Sequence, residues 1–129
     1  MIPRKRPVVD AAGAASMLGM AYQTFRTKGV AHEPGFPAPV NPGRRKLLYD
    51  RQQVEAFRDG QPLPELPAPG HPDDLLDEKE AAQELGLAYA TVRKDRNDGR
   101  MPPHIELCGL PHWPRHVLQG ITREPRRSP

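Results

Sequence analysis

Residues 10–26 and 77–93 are two copies of one sequence. Aligned without a gap, nine of 17 positions are identical: Asp10/Asp77, Ala14/Ala81, Ala15/Ala82, Leu18/Leu85, Gly19/Gly86, Ala21/Ala88, Tyr22/Tyr89, Thr24/Thr91 and Arg26/Arg93. The match loosens downstream but continues, pairing Pro37 with Pro102, Tyr49 with Trp113, Arg51 with Arg115, Val54 with Leu118 and Phe57 with Ile121. Chance does not produce such an alignment, and two copies are too few to stack as a solenoid. The chain is therefore expected to build one small motif twice. Composition points the same way. Leu, Ile, Val and Phe make up only 25 of 129 residues, against 17 Pro and 11 Gly, so two small cores fit better than one large one. Such a chain also lacks the wall for a large catalytic pocket.

Charge divides the chain further. The net charge of +3 is made of segments: +6 over residues 1–58, −6 over 59–80 and +3 over 81–129. The acidic stretch 59–74 carries five prolines, which forbid helix and favour an extended backbone reaching roughly 50 Å at about 3.1 Å per residue. The expected organisation is a first domain over 1–58 with a basic N-terminal arm, an acidic Pro-rich linker over 59–74, a second domain over 75–122 and a basic tail over 123–129. No apolar run approaches the roughly 20 residues of a membrane helix, so no membrane partner is expected. The basic start, Met1 to Pro7, is not followed by the apolar core of a signal peptide. The single Cys108 cannot close an internal disulfide, which makes a reducing, cytoplasmic setting the expectation.

Within each copy the periodicity predicts two short helices around a glycine turn. In the second copy Asp77 and Glu80 have capping-box spacing, Ala81, Ala82 and Leu85 share a face, Gly86 stops the helix, and a second helix runs from about Tyr89 to Asn97 with Val92 inward. In the first copy Ala14, Ala15 and Leu18 form the inward face, Gly19 breaks the helix, and a second helix runs from about Tyr22 to Lys28 with Phe25 inward. A hairpin is expected over Gly43–Tyr49 in copy one and over Ile105–Trp113 in copy two, each followed by a closing helix, about Asp50–Arg58 and Arg115–Ile121. The fold class so predicted is mainly α with small β-hairpin wings: two tandem winged helix-turn-helix domains joined by a Pro-rich linker.

These residues look familiar. Leu18–Arg26, Gly35–Val40 and Arg44–Phe57 together resemble the MerR-like, excisionase and AlpA-type winged helix of bacteria, phages and plasmids, and Leu85–Arg93 with Gly99–Pro103 and Trp113–Ile121 resemble a second, degraded copy. The resemblance covers about 100 residues. It implies a double-stranded DNA partner, with the second helix of each copy in a major groove and each wing reaching flanking backbone or minor groove. Two departures stand out: Ala21 and Ala88 replace the Ser or Thr that often caps the second helix, and the second wing, Glu106–His112, contains no Arg or Lys.

The candidate DNA-contacting residues are Tyr22, Gln23, Arg26, Lys28, Arg44, Arg45, Lys46, Tyr89, Arg93, Lys94, Arg96 and Asn97. Arg and Gln can read base edges or hold phosphate, and Arg44, Arg45 and Lys46 suit the negative potential of a narrow minor groove. The plain alternative is a solvated basic surface, and for the two tyrosines packing against the turn. His104, Cys108, His112 and His116 are spaced by four, but Pro111 and Pro114 interrupt that spacing and it matches no common zinc module. No nucleophile elbow, phosphate loop or carboxylate pair is present; neither catalysis, metal nor cofactor is expected. Two functions follow. One is a sequence-specific DNA-binding protein of the nucleoid, an excisionase-like accessory factor or transcriptional regulator, with self-association on DNA open. The alternative is an adaptor that docks on a recombinase, polymerase or packaging enzyme, motivated by the uncharged second wing and the acidic linker.

Overall fold

The computed structural model describes residues 1–120. The expected closing residue Ile121 and the basic tail 123–129 lie outside the described residues. The chain divides into two compact units, Met1–Pro69 and Gly70–Pro129.

In unit 1, β1 (Val8–Asp10) leads into α1 (Ala11–Met17) and α2 (Tyr22–Thr27), and β2 (Leu48–Asp50) leads into α3 (Arg51–Arg58). The strands pair antiparallel, with Val9 opposite Tyr49. Each strand ends in an aspartate that caps the next helix: Asp10 accepts from Gly13 N at 2.8 Å and Asp50 from Gln53 N at 2.9 Å. A short side-chain acceptor there satisfies an amide that has no partner within the helix. The core gathers Ala14, Ala15, Phe25, Val30, Tyr49 and Val54. Packed against it, the partly buried Phe36 meets Phe25, Tyr49 and Phe57 edge-to-face at 5.9, 5.2 and 5.1 Å. The N-terminal segment belongs to this unit. Ile2 is buried, the Met1 ammonium donates to Val40 O, and the Arg6 guanidinium grips the buried Asp50 carboxylate with two bonds of 2.8 and 2.7 Å.

In unit 2, β3 (Leu75–Leu76), α4 (Glu78–Leu85), α5 (Tyr89–Asn97), β4 (Ile105–Leu107), β5 (Leu110–Pro114) and α6 (Arg115–Gln119) follow one another. The sheet order is β3-β5-β4, both pairs antiparallel. Asp77 and Glu80 form the expected capping box. Cys108 and Gly109, both with positive φ, make the two-residue turn between β4 and β5, the backbone that the strand twist demands of a tight hairpin. Leu76, Ala81, Ala82, Leu85, Val92, Trp113 and Leu118 are buried, and the Trp113 indole donates to Pro102 O at 2.9 Å.

The duplication is visible in backbone detail. Met20 N bonds Ala15 O at 3.0 Å, and Leu87 N bonds Ala82 O at 2.9 Å, so both first helices end in the same turn. The fold class, however, is corrected. Six short helices share the described residues with five strands in two antiparallel sheets; this is a mixed α and β chain, not a mainly α chain of two tandem winged helix-turn-helix domains. Two causes are identifiable. Val8–Val9 and Leu75–Leu76, outside the expected hairpins, supply strands of their own. In unit 1 the expected hairpin over Gly43–Tyr49 does not form, because β2 pairs with β1, and what precedes it is a loop closed by side-chain bonds.

The Pro-rich stretch is also partly tied down. Gln53 Nε2 donates to Pro64 O at 2.8 Å in unit 1. In unit 2 the buried Asp74 carboxylate accepts from Gly70 N and His71 N, while His116 N bonds Pro72 O.

Candidate nucleic-acid interface

In unit 1 the helix α2 buries Phe25 and turns Tyr22, Gln23, Arg26 and, just past its end, Lys28 outward. Tyr22 is 46% exposed, unusual for a large aromatic ring, and the Arg26 guanidinium lies 5.6 Å from the ring centre. One helical turn separates the two residues, which allows this cation–π contact and leaves both polar ends facing solvent. Ala21 caps α2 with no side-chain bond.

The second component is the loop between Val40 and Leu48. Val40 N bonds Leu48 O at 2.8 Å and closes its base. Inside it, the buried Asn41 side chain donates to Lys46 O at 2.9 Å and accepts from Leu48 N at 2.7 Å. Arg45 and Lys46 are exposed; Arg44 is half-buried and its guanidinium donates to Pro42 O at 3.3 Å. Lys46 Nζ lies 3.6 Å from Asp10 Oδ2.

Loop and helix meet at one cleft of about 410 Å³, lined among others by Asp10, Tyr22, Arg45, Lys46 and Tyr49. Tyr22 is thus brought beside Arg45 and Lys46, which follow it by more than 20 residues. Burial, helped by the nearby Tyr22, pushes the Tyr49 hydroxyl above its ordinary value, so this phenol stays protonated at neutral pH. The cleft combines Arg45 and Lys46, the latter 3.6 Å from the Asp10 carboxylate, with tyrosine hydroxyls, and Arg45 with a phenol donor suits a phosphodiester oxygen.

Unit 2 is different. In α5, Tyr89, Arg93, Lys94 and Asn97 are exposed while Val92 and Asp95 are buried. The Tyr89 ring receives its cation from another helix, with Lys79 Nζ 5.5 Å from the ring centre. Arg96 is turned back onto Glu78 at 2.6 Å, with its side chain 27% exposed; it ties α5 to the start of α4. Arg115 likewise bonds Glu84 at 2.8 Å. The hairpin presents an exposed Ile105 and Glu106, with no Lys or Arg between Ile105 and Pro114.

Counted by unit, the positive charge lies in the first: Met1–Pro69 holds ten basic and six acidic residues, a net +4, whereas Gly70–Pro129 holds nine basic and ten acidic, a net −1.

The four evenly spaced His and Cys residues do not converge. The buried His112 ring shares a proton with Leu110 O, His104 faces Glu106 and His116 faces Asp73. Among the described residues no group of three or more His, Cys, Asp or Glu side chains could hold a metal, and no helix is long and apolar enough to cross a membrane.

Sequence reasoning missed Asn41, Tyr49 and Asp10 as parts of this face. Asn41-Pro42-Gly43 carried a turn signal, but nothing in it said that the asparagine would be buried. Comparison with protein-family models, with curated proteins and with solved structures gave no match.

Proposed function

We propose that this chain is a double-stranded DNA-binding protein of bacterial, phage or plasmid type, acting in the cytoplasm as an excisionase-like accessory factor or transcriptional regulator, with unit 1 as its main contact. The observation that carries the reading is the meeting of Tyr22, Arg45 and Lys46 at one cleft, beside the exposed Gln23, Arg26 and Lys28. The exposed face of α2 is sized for a major groove, and the cationic loop suits adjacent phosphate or the negative potential of a narrow minor groove. The net +4 of the unit favours a polyanion, and the resemblance of Leu18–Arg26 and Arg44–Phe57 to phage and plasmid DNA-binding proteins agrees.

The test is fluorescence anisotropy with a labelled duplex in low salt. The full chain is expected to bind, and replacing Arg44, Arg45 and Lys46 together by Ala is expected to cut affinity by about a hundredfold or more and flatten the salt dependence. An unchanged affinity would falsify the assignment. A second reading, an adaptor docking on a recombinase, polymerase or packaging enzyme, is favoured by the acidic unit 2 and its uncharged hairpin; there, charge reversal of Glu106 would weaken partner capture and leave duplex affinity intact.

A further inference from the structure

The Asn41 amide is an unusual way to hold a surface loop. A hairpin would fix its tip with a ladder of backbone bonds, but Pro39 and Pro42 have no N–H to give. Here one side chain, 3% exposed, replaces the missing rungs: it donates to Lys46 O and accepts from Leu48 N, on the far side of the loop. The bond from Leu48 N is buried and that to Lys46 O partly so, and a buried polar group left without partners is costly. The next turn is set by Gly43, whose φ of 79° lies in the left-handed region, with nothing within 4 Å of where a Cβ would stand. The three cations that follow leave from a backbone pinned at both ends, and Lys46 is anchored directly through its own carbonyl.

A charged loop needs no such clamp to attract a polyanion, since non-specific attraction follows the number of cations and tolerates mobility. A clamp matters when spacing between cations must match a shape. We infer that Asn41 is the positioning residue of this loop: it fixes Arg44, Arg45 and Lys46 in one arrangement, so that they discriminate duplexes by groove width and not by charge alone. The inference rests on the reading of this face as a DNA interface. Asn41 itself is buried and touches no DNA; it acts through Lys46 and Leu48.

The experiment compares two duplexes of equal length, one with a central A-tract and one of mixed G·C-rich sequence. The full chain and three variants are measured: Asn41→Ala, Gly43→Ala and the triple Ala replacement of Arg44, Arg45 and Lys46. The wild-type chain is expected to prefer the narrow-groove A-tract duplex by about tenfold. Asn41→Ala is expected to bring that ratio near one, leaving affinity for the G·C-rich duplex within about twofold and the salt slope unchanged, because every cation remains. A merely structural loss would weaken both duplexes together. Gly43→Ala strains the same loop with no buried group removed, and is expected to reproduce the lost ratio; it decides the matter if Asn41→Ala fails to give the wild-type circular dichroism spectrum. A wild-type ratio in the folded variants, or equal binding of the two duplexes by the wild-type chain, overturns the role of Asn41. Failure of the triple variant to lose affinity overturns instead the DNA interface beneath it.

Discussion

Asp50 shows how much one residue can carry in a core this small. It ends β2, caps α3 and neutralises Arg6, and its side chain is wholly shielded from solvent while that of Arg6 is 14% exposed. Removing one partner of a buried pair strands the other charge, which typically costs about 3–5 kcal/mol. Asp10 caps α1 in the same way but is 26% exposed, and losing a cap alone costs about 1 kcal/mol. Urea unfolding is therefore expected to find Asp50→Ala more than twice as damaging as Asp10→Ala; equal losses would show that the Arg6 pair adds nothing. His112 gives a second expectation at this scale. Burial lowers its pKa from 6.5, with Leu110 O, Asp77 and Glu80 offsetting only part of the effect. The unfolded chain then takes up a proton before the folded one does, so unit 2 is fully stabilised above about pH 6.5 and loses stability as pH falls from there through the lowered folded pKa. The slope is at most about 1.4 kcal/mol per pH unit. Trp113, the single tryptophan, reports on unit 2 alone. Its fluorescence during unfolding at pH 7.5 and 5.5 checks the sign, and His112→Gln is expected to flatten the dependence.

At the scale of elements, legibility followed local chemistry. The capping box at Asp77, the span of α5 from Tyr89 to Asn97 and a hairpin within Ile105–Trp113 were all readable, because each depends on residues within a few places of one another. The strands β1 and β3 were not. Two or three residues are too few for alternation to show, and the partner of Val9 lies 40 positions away. Val8–Val9 also follows Arg4, Lys5 and Arg6, so the segment reads as a basic arm, whereas Arg6 is held by Asp50. The hairpin expected over Gly43–Tyr49 is a loop instead, closed by the Val40 N–Leu48 O bond and by the Asn41 side chain, neither of which the local turn signal specifies. In the candidate site, the exposed face of α2 was legible from periodicity, whereas the cleft with Arg45 and Lys46 needed the tertiary fold. The second helix of each copy, which lacks a side-chain cap, gives a prediction here. Ala88 has an extended backbone, φ −70° and ψ 147°, and no side-chain cap. Ala88→Ser fits that geometry and is expected to stabilise unit 2 by about 1 kcal/mol, measured from Trp113 fluorescence in urea. No gain would mean that the α5 amides already have a partner of equal worth.

For the whole molecule, the duplicated backbone and the divided charge pull in different directions. Sequence identity between the copies argued for a shared task at Arg26 and Arg93, and both are exposed on equivalent helices. Yet Arg26 sits on a unit of net +4 and Arg93 on one of net −1. Cations are paired internally in both units, Arg6 with Asp50, Lys46 with Asp10, Arg51 with Glu55 and Arg58 with Asp59 in unit 1, and Arg96 with Glu78 and Arg115 with Glu84 in unit 2. A polyanion feels the sum of the fixed charges within about a Debye length, roughly 8 Å at physiological salt, so an arginine among carboxylates attracts it less than one among other cations. Both copies keep the scaffold, and on the proposal made above unit 1 is the one that holds the duplex. The two halves can be set against each other with matched pairs of substitutions. Removing Arg26 and Lys28 is expected to reduce the dependence of log K on log salt by nearly 2, at about 0.9 per lost phosphate contact, and to lower duplex affinity by about tenfold or more. Removing Arg93 and Lys94 is expected to change the slope by less than 1 and affinity by less than about threefold. Anisotropy titrations across a series of NaCl concentrations read both quantities at once. Equal losses from the two pairs would place α5 on the duplex beside α2, and the net charge of each unit would then have no say in which half holds DNA.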